Sequence, residues 1–261
     1  MNILEKIADK TRERIAEAKQ KIPEAELRAR AEAMDPNTGF PFARALGTKG
    51  LSFLCEVKKA SPSKGVIAED FPYLSIAQEY ESAGAAAISC LTEPFWFLGQ
   101  DRFLSEIAQS VSIPVLRKDF TIDPYMIYEA KILGASAVLL ICAILSDEEL
   151  REYLQLSHRL GLDALVEAHD GTEIHRALQA GATLIGVNNR NLKTFSVDTE
   201  NSLRLRSLIP SGCLFVSESG IRTPEDVRKL RDAGVDAVLI GETLMRAHDK
   251  KAMLDELRGG F

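Results

Sequence analysis

Charged side chains follow several short apolar runs of the sequence, and their types suit proton transfer. The first of these runs ends in Glu56 and Lys58, which are two residues apart and therefore share one face of a strand. Lys118, Glu167 and Glu218 stand at the ends of three later runs. One charge at a strand end would mean little in a chain with 27% charged residues, so the argument depends on the repetition. Because an unpaired buried charge is costly, these residues predict a paired set for general acid–base chemistry.

Small residues after the last two apolar runs indicate a separate phosphate site. Ser219 and Gly220 follow one run, and Gly241 and Glu242 follow the other and open a helical stretch. In a barrel, the backbone N–H groups of the last two loops commonly hold a phosphate. We expect the two glycines to allow the phosphate a close approach to the backbone.

Eight apolar runs of strand length alternate with helical patterns, at a spacing of about 20–35 residues that suits consecutive strand–helix units. Eight units without a break over residues 47–261 predict an α/β fold, a closed (β/α)8 TIM barrel. An open doubly wound sheet would usually have fewer strands and a Gly-rich dinucleotide turn. Chemistry in such barrels lies at the carboxyl ends of the strands, where the charged residues stand. The predicted strands are 51–58, 85–91, 113–118, 136–142, 163–167, 183–188, 213–218 and 236–240.

Residues 1–46 predict a helical extension of a single barrel domain rather than a second domain. Ile3, Leu4, Ile7 and Ile15 recur at helical spacing among charged residues. The segment is too short to hold a core of its own. We expect it to pack on the barrel and to help shape the substrate pocket.

The composition of the 261 residues fits one barrel and argues against several classes of protein. The net charge of -6 comes from acidic and basic residues mixed along the chain, so we expect no nucleic-acid partner. The apolar runs are shorter than the roughly 18 residues of a membrane span, and the first residues are charged, which predicts a cytoplasmic protein without a membrane partner. The four cysteines show no metal-ligand spacing, so we expect reduced thiols and no metal site.

Six segments, found in the same order along the chain, resemble the indole-3-glycerol phosphate synthases. The resemblance covers essentially the whole chain, including the helical extension. Other phosphate-binding barrels of amino-acid biosynthesis share the last glycine segments but not the first loop. The segments are Glu56-Val57-Lys58-Lys59-Ala60-Ser61-Pro62-Ser63-Lys64-Gly65, Leu91-Thr92-Glu93-Pro94, Leu116-Arg117-Lys118-Asp119-Phe120, Ala164-Leu165-Val166-Glu167, Ile185-Gly186-Val187-Asn188-Asn189-Arg190 and Ser217-Glu218-Ser219-Gly220-Ile221.

The resemblance implies a carboxy-lyase of tryptophan biosynthesis that uses no cofactor and no metal. Members of the family convert 1-(2-carboxyphenylamino)-1-deoxyribulose 5-phosphate to indole-3-glycerol phosphate by ring closure, decarboxylation and dehydration. By the match of motifs, Lys118 would protonate the ketone oxygen, and Glu167 would act in the dehydration as base or acid. Lys58 would position the substrate carboxylate, and Glu56 would orient Lys58 or Lys118. Asn188 would hold the hydroxyl region of the substrate.

The same matches imply which groups bind the substrate. Arg190 and Ser61 would bind its carboxylate, to which arginine is suited by its two-pronged geometry. Phe97 and Phe120 would surround the aromatic ring, and Glu218 would also bind the substrate. The residues matched to the phosphate are Ser219, Gly220, Gly241 and Glu242.

Two positions need a specific interpretation. Glu242 stands where some members of the family carry serine, so we expect only its backbone N–H to face the phosphate and its side chain to point outward. His169, two residues after Glu167, is interpreted as a loop residue rather than as an acid–base group.

Two other functions remain open from the sequence. A barrel similar to phosphoribosylanthranilate isomerase would isomerise a phosphosugar without releasing carbon dioxide. A barrel that only binds a phosphorylated metabolite would not need the set of Lys118, Glu167 and Glu56. For the synthase that the resemblance implies, we expect a small phosphorylated substrate as partner. We also expect a monomer that associates weakly with other enzymes of the tryptophan pathway.

Overall fold

The computed structural model describes residues 3–191 and 194–259, and its centre is a closed barrel of eight parallel strands. Each strand pairs with the next along the chain, and the last pairs with the first, where Cys55 lies opposite Ile240. The predicted barrel is confirmed, and each strand begins and ends within two residues of its predicted bounds. The strands are β1 (Ser52–Val57), β2 (Ala87–Leu91), β3 (Val115–Lys118), β4 (Ala137–Ile141), β5 (Asp163–Ala168), β6 (Leu184–Asn188), β7 (Leu214–Glu218) and β8 (Ala237–Ile240).

Helices form the N-terminal extension and surround the barrel. The extension consists of α1 (Ile3–Lys21), α2 (Glu24–Glu32) and α3 (Pro41–Leu46), which confirms the predicted helical extension. A two-residue antiparallel ribbon, Ala60–Ser61 with Gly65–Val66, follows β1. The remaining helices are α4 (Tyr73–Ser82), α5 (Asp101–Ser110), α6 (Pro124–Ile132), α7 (Asp147–Arg159), α8 (Gly171–Ala180), α9 (Glu200–Leu205), α10 (Pro224–Asp232), α11 (Glu242–Arg246) and α12 (Lys250–Arg258), with 3-10 turns at Cys142–Ile144 and Arg206–Leu208.

Alternate residues of the strands fill the barrel interior in layers. One layer is apolar, and its members come from β1, β3, β5 and β7: they are Leu54, Leu116, Leu165 and Val216. Because side chains alternate along a strand, the residues two positions further on point into the mouth of the barrel. These four residues, the charged layer, are Glu56, Lys118, Glu167 and Glu218.

The other face of each strand packs against the helices in a larger apolar cluster, to which Cys55, Cys90 and Cys142 belong. All four cysteines are free thiols, and burial raises the pKa of Cys55 to about 12. Among residues 3–191 and 194–259, the His, Cys, Asp and Glu side chains form no group of three that could hold a metal ion. A membrane-spanning helix is likewise absent from these residues.

The helical extension covers both ends of the barrel. At the carboxyl ends of the strands, Leu4 and Ile7 of α1 join the inner apolar cluster. Arg14 fastens α1 there, because its Nη2 donates to both carboxylate oxygens of Asp119 at 2.9 Å. At the amino ends of the strands, α3 packs on β1, β2 and β5, and the Ala43 N–H donates to Asp163, the first residue of β5, at 3.0 Å.

Arg117 of β3 points away from the barrel interior and is nevertheless buried, with 1% of its surface exposed. Its guanidinium is fully paired: Nη2 contacts Asp101 at 2.7 Å and Glu129 at 2.6 Å, and Nη1 donates to the Met126 carbonyl at 2.9 Å. Burial alone would lower the pKa of Arg117, but the facing carboxylates outweigh burial and raise it. This network ties β3 to α5 and α6 and thereby fixes the strand that carries Lys118.

We predict that Arg117→Leu destabilises the fold by about 3–5 kcal/mol, because the carboxylates of Asp101 and Glu129 lose their buried partner. Urea unfolding followed by circular dichroism measures this change in free energy. The matched control is Arg102→Leu on α5, whose arginine pairs with Glu106 and is 64% exposed, and its loss should cost less than about 1 kcal/mol. Equal losses for the two variants would show that the Arg117 network adds no stability.

Candidate active site

One pocket opens at the carboxyl ends of the barrel strands and encloses about 1150 Å³, the open space at its rim included. Every residue that the sequence analysis assigned to catalysis, substrate binding or phosphate binding lines this pocket. The structure therefore brings the complete set together, although its members come from five strands and from the loops that follow six strands. They are Glu56, Lys58, Ser61, Phe97, Lys118, Phe120, Glu167, Asn188, Arg190, Glu218, Ser219, Gly220, Gly241 and Glu242.

Lys118, at the end of β3, lies between two carboxylates of the charged layer. Its Nζ is 3.5 Å from Glu167 Oε2 and 3.4 Å from Glu218 Oε2, and only 13% of its side chain is exposed. Burial alone would lower the pKa of Lys118, but the charges of Glu218 and Glu167 outweigh burial and raise it. The ammonium therefore stays protonated at neutral pH, and it can donate a proton to an oxygen that gains negative charge.

Glu167 and Glu218 face the same lysine but hold their protons with different strength. Burial raises the pKa of Glu218 to about 7; Lys118 opposes this rise, and the charge of Glu167 adds to it. For Glu167, the effect of burial is outweighed by Lys118 and His169, so its pKa is lowered. Two carboxyl groups with separated pKa values can act as a base and an acid in one site at the same pH.

A glycine in β6 makes room for the Glu218 carboxyl group. A Cβ at Gly186 would lie 2.1 Å from Glu218 Oε1, closer than two such atoms can approach. Glu218 Oε1 is buried and has no hydrogen-bond partner within the described part of the chain. This oxygen therefore lies against the backbone of Gly186, and its position depends on the absence of a side chain there.

Glu56 and Lys58 form an ion pair at the end of β1, with 2.5 Å between Oε2 and Nζ. Gly241 borders this pair, since a Cβ there would lie 2.4 Å from Glu56 Oε2 and 2.7 Å from Lys58 Nζ. The sequence analysis expected this glycine to leave space for a phosphate. The structure adds a second reason for the glycine, because the first protein atoms that a side chain would meet belong to the ion pair.

The turn after β7 has a strained backbone at Ser219, where φ is 70°, followed by Gly220 at 87°. A side chain at Gly220 would also collide with Val197, whose Cγ1 lies 2.5 Å from the position of a Cβ. The glycine is thus required by the backbone and by a neighbouring loop. Strain of this kind is concentrated at functional sites, where the surrounding structure compensates for it.

The side chain of Glu242 lies at the rim of the pocket and is 25% exposed. It accepts a hydrogen bond from Arg246 at 3.1 Å and lies 3.7 Å from Lys64 in the loop after β1. These two cations lower the pKa of Glu242 against the opposing effect of burial. Basic groups from two elements therefore hold the carboxylate at the rim of the pocket.

Polar groups from β6 and the first loop line one side of the pocket. Asn188 accepts the backbone N–H of Arg190 at 3.0 Å, and its side-chain hydrogen bond helps to lower the pKa of Glu167. Arg190 donates to the Phe195 carbonyl at 3.2 Å, and burial lowers its pKa. The hydroxyl of Ser61 is buried without a hydrogen-bond partner within the described part of the chain.

Two aromatic rings of the pocket lining, Phe97 and Phe120, pack against each other at a tilt, with centroids 6.1 Å apart. The loop that carries Phe97 is held by Glu93, which is fully buried. The carboxylate of Glu93 accepts the backbone N–H groups of Phe95, Trp96 and Phe97 at 2.8–3.0 Å. Glu93 therefore fixes the position of the ring that reaches the pocket.

The sequence analysis did not single out several pocket residues. Ile3, Leu4 and Ile7 line the pocket from α1, as do Arg222 after β7 and Thr243 after β8. The sequence analysis expected the helical extension to help shape the pocket, and these three apolar residues do line it, but their helical spacing did not assign any one of them to the site. Arg222 and Thr243 stand among other polar loop residues and carry no distinguishing signal.

We predict that the side-chain carboxyl of Glu218 titrates with a midpoint of about 7. Carbon-13 NMR of the protein measures this midpoint, and Glu218→Gln identifies the signal. Gly186→Ala should displace the carboxyl group and change the midpoint, whereas Gly212→Ala, where a Cβ meets nothing within 4 Å, should leave it unchanged. A midpoint at the ordinary glutamate value of about 4.3 would mean that Lys118 outweighs burial.

Solved structures with little sequence similarity share the fold. A thiamine phosphate pyrophosphorylase from Pyrococcus furiosus superimposes with a TM-score of 0.61 at 17% identity, over 82% of this chain and 96% of that one. A mandelate oxidase variant superimposes with a TM-score of 0.58 at 18% identity, over 80% of this chain and 70% of that one. At this identity the likeness establishes the fold alone.

Comparison of the sequence with known proteins identifies the family. The family model described as "Indole-3-glycerol phosphate synthase" matches residues 4–257. The protein of that name from Ruminiclostridium cellulolyticum is 55% identical over 257 residues, which are 98% of this chain and 99% of the relative. The one from Lachnoclostridium phytofermentans is 52% identical over an alignment of 267 positions, which covers 98% of each chain. The chain therefore belongs to the indole-3-glycerol phosphate synthase family, the carboxy-lyases of tryptophan biosynthesis.

Proposed function

We propose that Lys118, Glu167 and Glu218 perform the proton transfers of indole-3-glycerol phosphate formation. The observation that carries this proposal is the Lys118 ammonium between two buried carboxyl groups of unequal pKa. During ring closure, Lys118 donates a proton to the ketone oxygen as the aromatic carbon attacks the ketone carbon. Loss of carbon dioxide leaves the electron pair of its bond in the ring, which regains aromaticity.

Dehydration then needs an acid and a base. The hydroxyl leaves as water after it takes a proton, and a neighbouring carbon loses a proton as the double bond forms. Glu167 is the base, because its lowered pKa keeps it ionised at neutral pH. Glu218 is the acid, because a carboxyl group with a pKa of about 7 is partly protonated at neutral pH and can give its proton to the leaving hydroxyl.

Lys58, Arg190 and Ser61 bind the substrate carboxylate. Lys58 is held by Glu56, and the buried Ser61 hydroxyl has no other partner among the described residues. Phe97 and Phe120, whose centroids are 6.1 Å apart, form one aromatic surface against which the aromatic ring of the substrate packs. Asn188 orients Glu167, which transfers a proton, and Glu56 orients Lys58, which binds the carboxylate.

The phosphate binds where the loops after β7 and β8 meet the loop after β1. The backbone N–H groups of Gly220, Gly241 and Glu242 and the Ser219 hydroxyl are the donors that line this end of the pocket. Lys64 lies 3.7 Å from Glu242 and places a positive charge beside the phosphate site, in a protein whose net charge is -6.

We further infer that the protein is a monomer that acts in the cytoplasm and associates only weakly with other enzymes of tryptophan biosynthesis. Reduced cysteines support the compartment, since Cys55, Cys90 and Cys142 are buried free thiols. The complete lining of the pocket supports the monomer, because one chain supplies every group that the proposed reaction uses.

We predict that the protein converts 1-(2-carboxyphenylamino)-1-deoxyribulose 5-phosphate to an indole and releases carbon dioxide, and that Lys118→Ala lowers kcat by about 10²–10⁴-fold with little change in KM. Indole fluorescence and carbon dioxide release are the measurements. Lys49→Ala, at an exposed lysine outside the pocket, is the matched control. Isomerised product without carbon dioxide, or a Lys118→Ala enzyme with near-normal kcat, would contradict the proposal.

We predict that Arg190→Ala weakens binding of a substrate analogue by roughly 1.5–3 kcal/mol more than binding of the same analogue without its carboxylate. The reason is that the lost contact is a charge-assisted hydrogen bond to that carboxylate. Titration calorimetry gives both affinities. Arg222→Ala, another pocket arginine, should weaken both ligands alike, and an equal loss for both in Arg190→Ala would remove Arg190 from the carboxylate site.

A further inference from the structure

The loop between β5 and α8 places a histidine behind Glu167. His169 lies two residues after Glu167, on the same side of the extended chain, and 19% of its side chain is exposed. Its Nε2 is 3.6 Å from Glu167 Oε1. This nitrogen is buried and has no hydrogen-bond partner within the described part of the chain, so Glu167 is the group that it faces.

Glu173 of α8 holds the other side of the imidazole. Its Oε2 lies 3.1 Å from His169 Nδ1 and accepts the backbone N–H of the same histidine at 2.7 Å. The Glu173 backbone is itself fixed, because its N–H donates to the helix cap Asp170 at 2.9 Å. The Asn201 amide donates to the His169 carbonyl at 3.1 Å and fixes the loop from the side of α9.

This geometry determines which nitrogen carries a proton. A carboxylate only accepts hydrogen bonds, so the contact with Glu173 requires a proton on His169 Nδ1. Nε2 then carries a proton only when the imidazole is charged. The charged imidazole forms an ion pair with the Glu167 carboxylate, whose Oε1 lies 3.6 Å from Nε2.

We propose that His169, oriented by Glu173, is a positioning residue that fixes the Glu167 carboxyl group through the attraction between the charged imidazole and the carboxylate. Glu173 sets the tautomer of His169, as the carboxylate does in other carboxylate–imidazole pairs. Here the imidazole acts on the carboxyl group that meets the substrate, through Oε1, and leaves Oε2 directed at Lys118. This inference rests on the proposed function for the role of Glu167.

The charges around the pair set the expected sign of a pH effect. Glu167 is faced by Lys118 from β3, by Glu218 from β7, by the Asn188 amide from β6 and by His169. His169 is faced by the carboxylates of Glu173, Glu167 and Glu218; burial would lower its pKa, and these carboxylates raise it. Since the charged imidazole lowers the pKa of Glu167, its removal must raise that pKa.

The first test needs no substrate. Proton NMR of the imidazole signals should show His169 titrating above an ordinary histidine, and Glu173→Gln and Glu167→Gln should each lower its midpoint by about one pH unit. His175, exposed on α8, serves as the internal reference. A His169 midpoint that neither variant moves would overturn the proposal, even if the protein is an active synthase.

The second test is the pH profile of kcat. His169→Ala should lower kcat roughly 10- to 100-fold, with little change in KM. Because the pKa of Glu167 rises, the acidic limb of the profile should shift to higher pH by about one unit. His169→Gln, whose amide can reach Glu167 without a charge, should recover kcat but keep the displaced limb. His175→Ala is the control and should match the wild type.

The results separate two kinds of failure. A wild-type protein without indole formation would refute the proposed function and leave the NMR test to decide the His169–Glu167 contact. An active wild type with an unchanged acidic limb in both His169 variants would refute the positioning role alone. If His169→Ala does not fold, His169→Gln and Glu173→Gln still decide the question, because both keep the size of the side chain they replace close to the original.

Discussion

The attraction between the buried Lys118 ammonium and the carboxyl groups of Glu167 and Glu218 is the interaction around which the barrel mouth is organised. A buried charge is tolerated only when opposite charges compensate for lost solvation, and here two carboxyl groups lie within 3.5 Å of one ammonium. Because one cation cannot fully compensate two anions, one of the carboxyl groups retains its proton more strongly. The unequal pKa values that the chemistry needs therefore follow from an unequal number of charges.

Such an arrangement requires rigid supports and space for each group. The apolar layer beneath the charged layer fixes the strands, and the Arg117 network ties β3 to its helices. Space comes from the strands between, where Gly186 leaves room for Glu218 and Gly241 leaves room for Glu56 and Lys58. A glycine in β6 and another after β8 thus provide space, and the odd-numbered strands contribute the charged layer.

The elements above the barrel determine how strongly these charges interact. Leu4 and Ile7 of α1 border the pocket with apolar side chains, and the ion pair of Arg14 with Asp119 keeps the helix in place. Exclusion of water by this cover strengthens every electrostatic contact below it. The covering helix and the loop held by Glu93 therefore strengthen the electrostatic interactions of the site, although neither supplies a group that transfers a proton.

The sequence by itself determined the barrel, the helical extension and the set of pocket residues. Apolar periodicity is a local signal, the end of each strand fixes which residues reach the mouth, and the resemblance to the family supplied the loop residues Ser61, Phe97 and Arg190. The sequence could not determine which charges meet, because the separations of Lys118, Glu167 and Glu218 depend on packing between distant parts of the chain. For the same reason it did not show that Glu242 lies beside Lys64 or that His169 lies 3.6 Å from Glu167. Distance and burial decide a pKa, and both are properties of the tertiary structure alone.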